Sequence, residues 1–286
     1  MKLSIFTVAT PEVTPEELVA IASKVGIHGI EWRYKEPTPG AEKQAPSYWG
    51  NNLCTINPAN GDAEIDRFRQ LTEAAGLEIP AITPYLNGQG LDATEQVLKH
   101  AQRIGAKMIR VGVPGYDGSR NYNELLKEGR AYLKGAEELC KQYGVKGLVE
   151  THHVTIAASA SAAYRLVEGF DPDHIGVLFD PGNMVHEGFE NYQMGIELLG
   201  PYLAHVHVKN AGWFQTGYAA DGSDIWTCRW LGLQQGNVPW ASLIKTLKEV
   251  GYDGYLGVED FSGQYRSSEK MLQNFTDYIG GLLAQS

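Results

Sequence analysis

The chain has 286 residues, with 34 acidic against 24 basic side chains and a net charge of −10. That balance argues against nucleic acid or an anionic membrane as partner, since both call for a basic face. Three cysteines, Cys54, Cys140 and Cys228, show no metal-type spacing and fit a reducing compartment better than a disulfide framework.

The opening apolar run is broken at once by Pro11 and Glu12, unlike a secretory segment. No later run approaches the roughly 18 apolar residues of a membrane span. The expectation is a soluble, cytoplasmic protein. In chain order, apolar and β-branched runs predict strands at 2–7, 29–33, 78–83, 107–111, 145–150, 174–180, 202–208 and 255–259. Amphipathic stretches alternate with them, for example at 15–25, 94–104 and 243–250. They close on glycines such as Gly26, Gly105, Gly144 and Gly251, the usual stop signal for a helix. Eight strands alternating with helices predict a single (β/α)8 barrel spanning 1–286. A doubly wound open sheet is the alternative, disfavoured because no Gly-rich phosphate loop follows the first strand. Two connections are long, 34–60 and 210–238. Both follow strands and belong to the face where barrel enzymes keep their substrate loops.

The last four strands end in polar groups: Glu150, Asp180, His207 and Glu259. In a barrel such ends meet at one mouth. Crowded carboxylates raise one another's pKa, and a divalent cation removes that cost. A mixed oxygen and nitrogen set suits Mn²⁺ first, with Mg²⁺, Co²⁺ or Zn²⁺ as alternatives.

The stretches "LVETHH", "FDPGN", "HVHVKN" and "LGVEDF" resemble the xylose isomerase-like barrels, the sugar phosphate isomerase/epimerase superfamily. The resemblance covers nearly the whole chain, and "GNVPWASLIKTLKEVGYDGYLGVEDF" is similar to the family's C-terminal unit. It implies one divalent metal held by Glu150, Asp180, His207 and Glu259, with His205 in a supporting place behind His207. It also implies chemistry next to a carbonyl. The metal would polarise the carbonyl and stabilise an enediolate, while Glu150 and Glu259 remove and return a proton. Further candidate substrate contacts are His152, Asn183, Lys209, Trp213, Glu31 and Arg33.

Where ketose 3-epimerases of the family carry a Glu, a His and an Arg, this chain has Ile156, Asn183 and Trp213. Lys209 in "HVHVKN" is similar to the "HxHxKD" of inosose dehydratases, with Asn210 in place of Asp. Repair endonucleases on the same barrel need a three-zinc cluster with more histidines. The third and fourth strand ends, near Thr83 and Val111, supply none.

The first expectation is therefore a metal-dependent isomerase or epimerase on a small, unphosphorylated carbohydrate. A lyase on a keto-sugar, keto-inositol or keto-glycoside is the alternative. A non-catalytic sugar- or metal-binding subunit is the third reading. A homo-oligomer or a partner subunit is compatible with each. Trp213, Phe214, Tyr218, Trp226 and Trp230 crowd segment 210–238, expected as an aromatic lid or interface loop that lines the pocket.

Overall fold

The structure is a computed structural model and describes residues 1–285. Its strands are β1 (Lys2–Phe6), β2 (Gly29–Tyr34), β3 (Thr55–Ile56), β4 (Ala81–Thr83), β5 (Met108–Arg110), β6 (Lys146–Glu150), β7 (Ile175–Phe179), β8 (Leu203–Val208), β9 (Asn210–Tyr218), β10 (Asp224–Leu231) and β11 (Tyr255–Val258). Its helices are α1 (Pro15–Val25), α2 (Gly61–Ala74), α3 (Asp92–Ile104), α4 (Tyr122–Tyr143), α5 (Ala160–Val167), α6 (Pro181–Glu187), α7 (Tyr192–Leu199), α8 (Trp240–Glu249) and α9 (Ser268–Ala284). Among the described residues no helix is long and apolar enough to cross a membrane.

Strand β1 pairs in parallel with β2 on one side and with β11 on the other. The intervening order β11-β8-β7-β6-β5-β4-β2 completes a ring of eight parallel strands. The chain is a closed (β/α)8 TIM barrel, and closure excludes the open doubly wound sheet. Local sequence explains how the helices start and stop. Thr14 and Glu17 form a reciprocal capping box ahead of α1. Asn121 caps α4, and Gly144, at φ 65°, turns the chain out of it in a conformation that other residues adopt only with strain.

The two faces of each strand diverge in chemistry. Leu3, Ile5, Ile30, Trp32, Val149, Val177, Val206 and Val258 belong to the main apolar cluster between strands and helices. At alternate positions Ser4, Glu31, Arg33, Glu150, His205 and His207 are buried polar groups. A period of two puts these on the lumen side. Phe6, Ala81, Leu148 and Leu178 share that parity, and all four are buried yet stand outside the main cluster.

Segment 210–238 corrects the expectation of a loop. Its first part is an antiparallel hairpin, β9 with β10, pairing Asn210 with Leu231 and Trp213 with Cys228. Most side chains of both strands are exposed or half-buried. With water on both faces, the polar/apolar alternation that would mark strands is missing. A short helix, α6, also follows β7 directly, ahead of the barrel helix α7. Segment 34–60 carries β3, which extends β2 at Arg33 and Tyr34.

Candidate metal centre and substrate cavity

At the upper ends of β6, β7, β8 and β11, one ligand atom each from Glu150, Asp180, His207 and Glu259 lies within 4.8 Å of the others. His207 Nδ1 sits 3.7 Å from Glu150 Oε1, from Asp180 Oδ2 and from Glu259 Oε2. All four residues are buried. His207 Nδ1, Asp180 Oδ2 and Glu259 Oε2 make no hydrogen bond there. Buried polar atoms left without partners are costly, so a cluster of three facing one point has the character of a ligand set. Lys209 Nζ approaches Asp180 Oδ2 to 3.1 Å, out of hydrogen-bond alignment, and forms an ion pair with Glu259.

Each donor is aimed by a partner. His207 Nε2 lies 3.1 Å from Glu31 Oε2, and His205 Nε2 lies 2.9 Å from the same oxygen. A carboxylate oxygen only accepts, so His207 keeps a proton on Nε2; burial opposes a second proton, but Glu31, Asp180 and Glu150 raise the pKa well above the usual value, and a bound ion would take the place of the Nδ1 proton. Phe6 stacks against the His207 ring with centroids 5.6 Å apart. Glu31 also accepts from the Thr83 hydroxyl. Burial alone would raise the Glu31 carboxyl, but His207 and His205 hold it well below the carboxylate range. Glu31 is therefore an orienting group deep in the barrel. Replacing it with Gln is expected to weaken metal binding about 10–100-fold with the four ligands unchanged. Metal titration calorimetry reads this directly, and an unaltered affinity would remove Glu31 from the support of His207.

Asp180 divides its carboxylate. Oδ1 accepts from the backbone N–H of Asn183 at 2.8 Å as the N-cap of α6, while Oδ2 faces the cluster. The helix-cap and site roles thus fall on different oxygens of one residue. Glu150 Oε2 accepts from Arg110, and Oε1 accepts from the Asn183 amide at 3.3 Å. Asn183 in turn accepts from Lys209 Nζ at 3.0 Å. Gly182 lets α6 come this close, since a Cβ there would meet Lys209 Cβ at 2.7 Å.

The two glutamates are held differently. Burial opposes ionisation of Glu150, but Arg110 and His207 outweigh it and keep the group well below the usual range. Burial raises Glu259, with Lys209 and His207 only partly offsetting it. Burial likewise opposes charge on Lys209, yet Asp180 and Glu259 push its pKa up, so the ammonium is firmly charged.

Above the cluster opens a cavity of about 540 Å³. Glu150, Glu259, Asn183, Lys209 and His152 all line it. His153 also lines it, stacked between His152 and His186 at 4.4 and 4.5 Å. Three expected contacts do not line the cavity. Glu31 lies beneath it, and Arg33 is buried against Thr55 and Tyr85. Trp213 donates its indole N–H to Val185 O at 2.7 Å and stacks on Phe189, away from the cavity. The cavity wall instead takes Trp230 from β10, whose ring lies 4.6 Å from Lys209 Nζ, with Phe261 at 5.0 Å. Arg110, Tyr85, Trp49 and Phe261 were missed from sequence. Arg110 alone carried a signal, as a cation at a strand end in line with the other inward polar residues.

The sequence profile of the xylose isomerase-like TIM barrel matches residues 19–276. The chain belongs to the xylose isomerase-like TIM-barrel family. An uncharacterised protein of Methanocaldococcus jannaschii is 25% identical over 180 residues, covering 60% of this chain and 57% of that protein. An inosose isomerase of Bacillus licheniformis is 24% identical over 178 residues, 59% of each chain. The chain thus spans somewhat under three fifths of the length of these curated relatives. Among solved structures, the IolI protein with a bound zinc atom superimposes with a TM-score of 0.74 at 18% identity, over 100% of this chain and 99% of that one. An L-ribulose 3-epimerase gives 0.74 at 16%, over 99% and 95%. A probable 3-DHS dehydratase of Bacillus anthracis gives 0.68 at 18%, over 98% and 99%. At these identities the likeness is one of fold within the family.

Proposed function

We propose that the protein is a divalent-metal-dependent isomerase or epimerase that moves a proton next to a carbonyl of a small carbohydrate. The observation that supports this most is the convergence of His207 Nδ1 with carboxylate oxygens of Glu150, Asp180 and Glu259, two of which, Glu150 and Glu259, line the cavity. The relatives named as inosose isomerase and L-ribulose 3-epimerase agree with the reading. Glu150, Asp180, His207 and Glu259 would hold the ion, Mn²⁺ by preference for this oxygen-rich set. A bound ion there supplies Lewis acidity to a carbonyl oxygen and neutralises the three carboxylates.

Glu150 and Glu259 are the two groups that can take and return the proton. Both line the cavity, both are buried, and each is oriented by a different cation. Glu259, whose pKa burial raises in the ion-free cluster, is the more basic of the two. Glu150, clamped by Arg110 and Asn183, holds its geometry through the cycle. Phe6, Trp230 and Phe261 line the cavity with apolar surface that keeps bulk water off the reacting carbon.

Lys209 favours a second reading, a lyase. Its buried ammonium lines the cavity beside Glu259. In such a reaction Glu259 takes the proton next to the carbonyl. The carbon–oxygen bond one carbon further on breaks, and the departing oxygen takes a proton from Lys209. The dehydratase among the structural neighbours is in keeping with this. Incubation of the metal-loaded protein in D₂O with inososes, ketoses and keto-sugars tests both. Deuterium at the carbon beside the carbonyl in an isomeric product is the expected result. An unsaturated carbonyl product with release of water or an alcohol assigns the lyase. No exchange and no elimination across the set would remove the enzymatic reading.

A further inference from the structure

One wall of the cavity carries more positive charge than the metal cluster uses. Tyr85, at the end of β4, is ringed by three cations. Arg110 Cζ lies 5.1 Å from its ring centroid, Arg33 Cζ 5.3 Å and Lys35 Nζ 5.4 Å. These side chains come from the ends of β2 and β5, and Lys35, Tyr85 and Arg110 line the cavity. Arg110 is answered by Glu150. Among the described residues Arg33 and Lys35 form no ion pair, although Arg33 is only 3% exposed. Arg33 does not line the cavity and acts on a ligand there only through the Tyr85 hydroxyl to which it donates.

The hydrogen bonds point the same way. Arg33 Nε donates to the Tyr85 hydroxyl at 3.0 Å, and Arg33 Nη1 donates to Thr55 Oγ1 at 2.9 Å. Tyr85 therefore accepts from Arg33 and keeps its own O–H proton, which has no partner among the described residues, to donate toward the cavity. A charge-backed hydroxyl and an unpaired ammonium line the cavity beside Arg110, whose Nη1 is held by Glu150 and whose Nη2 donates to Pro84 O. Donors of this kind bind oxyanions more strongly than neutral hydroxyls.

We propose that the substrate carries an oxyanion, a carboxylate or phosphate group, seated on Lys35, Tyr85 and Arg110 while its carbonyl end lies over Glu150 and Glu259. The proposal rests on the carbohydrate reading of the cavity but uses none of the four metal-binding side chains as its anchor. It narrows the substrate class from neutral sugars to sugar acids or sugar phosphates. The carboxylate arm keeps the expectation of an unphosphorylated substrate, and the phosphate arm departs from it.

The test is equilibrium binding to the metal-loaded protein, by calorimetry, of D-glucose, D-glucuronate and D-glucose 6-phosphate, which share one ring and differ in charge. At least one anionic sugar is expected to bind about tenfold or more tightly than glucose. The better of the two tells carboxylate from phosphate. Lys35→Gln and Tyr85→Phe are each expected to remove most of that preference while the metal stoichiometry stays unchanged. Equal binding of neutral and charged sugars, or a preference that survives both substitutions, overturns the subsite. Loss of metal binding with the preference intact would count against the metal-dependent function and leave the subsite standing.

Discussion

Glu150→Gln and Glu259→Gln are each expected to lower the rate of proton exchange by about 10²–10⁴-fold, the usual cost of removing a positioned acid or base. Both substitutions keep the side-chain shape and one carbonyl oxygen, so packing around β6 and β11 is preserved. The amide cannot take a proton from carbon, nor return one. The losses should differ in character. Glu150 is clamped by Arg110 and Asn183, and its replacement leaves the Arg110 guanidinium without its carboxylate. Glu259→Gln instead removes the ion pair with Lys209, which leaves Lys209 with Asp180 and Asn183. Deuterium incorporation measured beside metal content and a thermal melt separates chemistry from folding. Near-native exchange by either variant with the ion bound would defeat the assignment of the two glutamates.

Removal of the ion is expected to lower the melting temperature by ~10 °C and to end activity. Three buried carboxylates share the cluster, and among the described residues Lys209 and His207 are the cations in contact with Asp180 and Glu259. A ligand present at a thousand times its dissociation constant stabilises the folded state by about 4 kcal/mol. For a domain of this size each kcal/mol moves the midpoint by about 2–4 °C. Melts with chelator and then with Mn²⁺, Zn²⁺ or Mg²⁺ restored give both the effect and the order of preference. A melting temperature indifferent to every divalent ion would mean that Lys209 and His207 already satisfy the cluster and that no ion resides there.

Much of the barrel could be read from the sequence because its strands are short apolar runs that stop sharply. "LVE", "LFD", "HVHV" and "GVE" each place a polar residue one step past an apolar one, Val or Phe. That polar step, at successive strand ends, is also what brought Glu150, Asp180, His207 and Glu259 forward as a set. What remained hidden was contact between distant segments. Arg110 ends a strand of three residues, and nothing nearby announces that its guanidinium reaches Glu150, 40 positions on. Glu31 looks like half of a local pair with Arg33, yet its carboxylate spans the lumen to two histidines more than 170 residues away. The hairpin was illegible because exposure on both faces erases the alternation that marks a strand, and so Trp213 stood in for Trp230.

The parity of the strands has a consequence for how such a protein can change. Residues that hold the barrel together and residues that would do its chemistry occupy alternate positions of the same short segments, facing opposite ways. Ile30 and Trp32 anchor β2 to the helices, while Glu31 and Arg33 between and beyond them face the lumen. Val206 and Val208 do the same for β8 on either side of His207. A new specificity can therefore be written into every second letter, with the intervening letters left untouched and the frame still closed. One scaffold can pass through many reactions by this route, because along β2 and β8 the residues of the frame and the residues of the lumen occupy different positions.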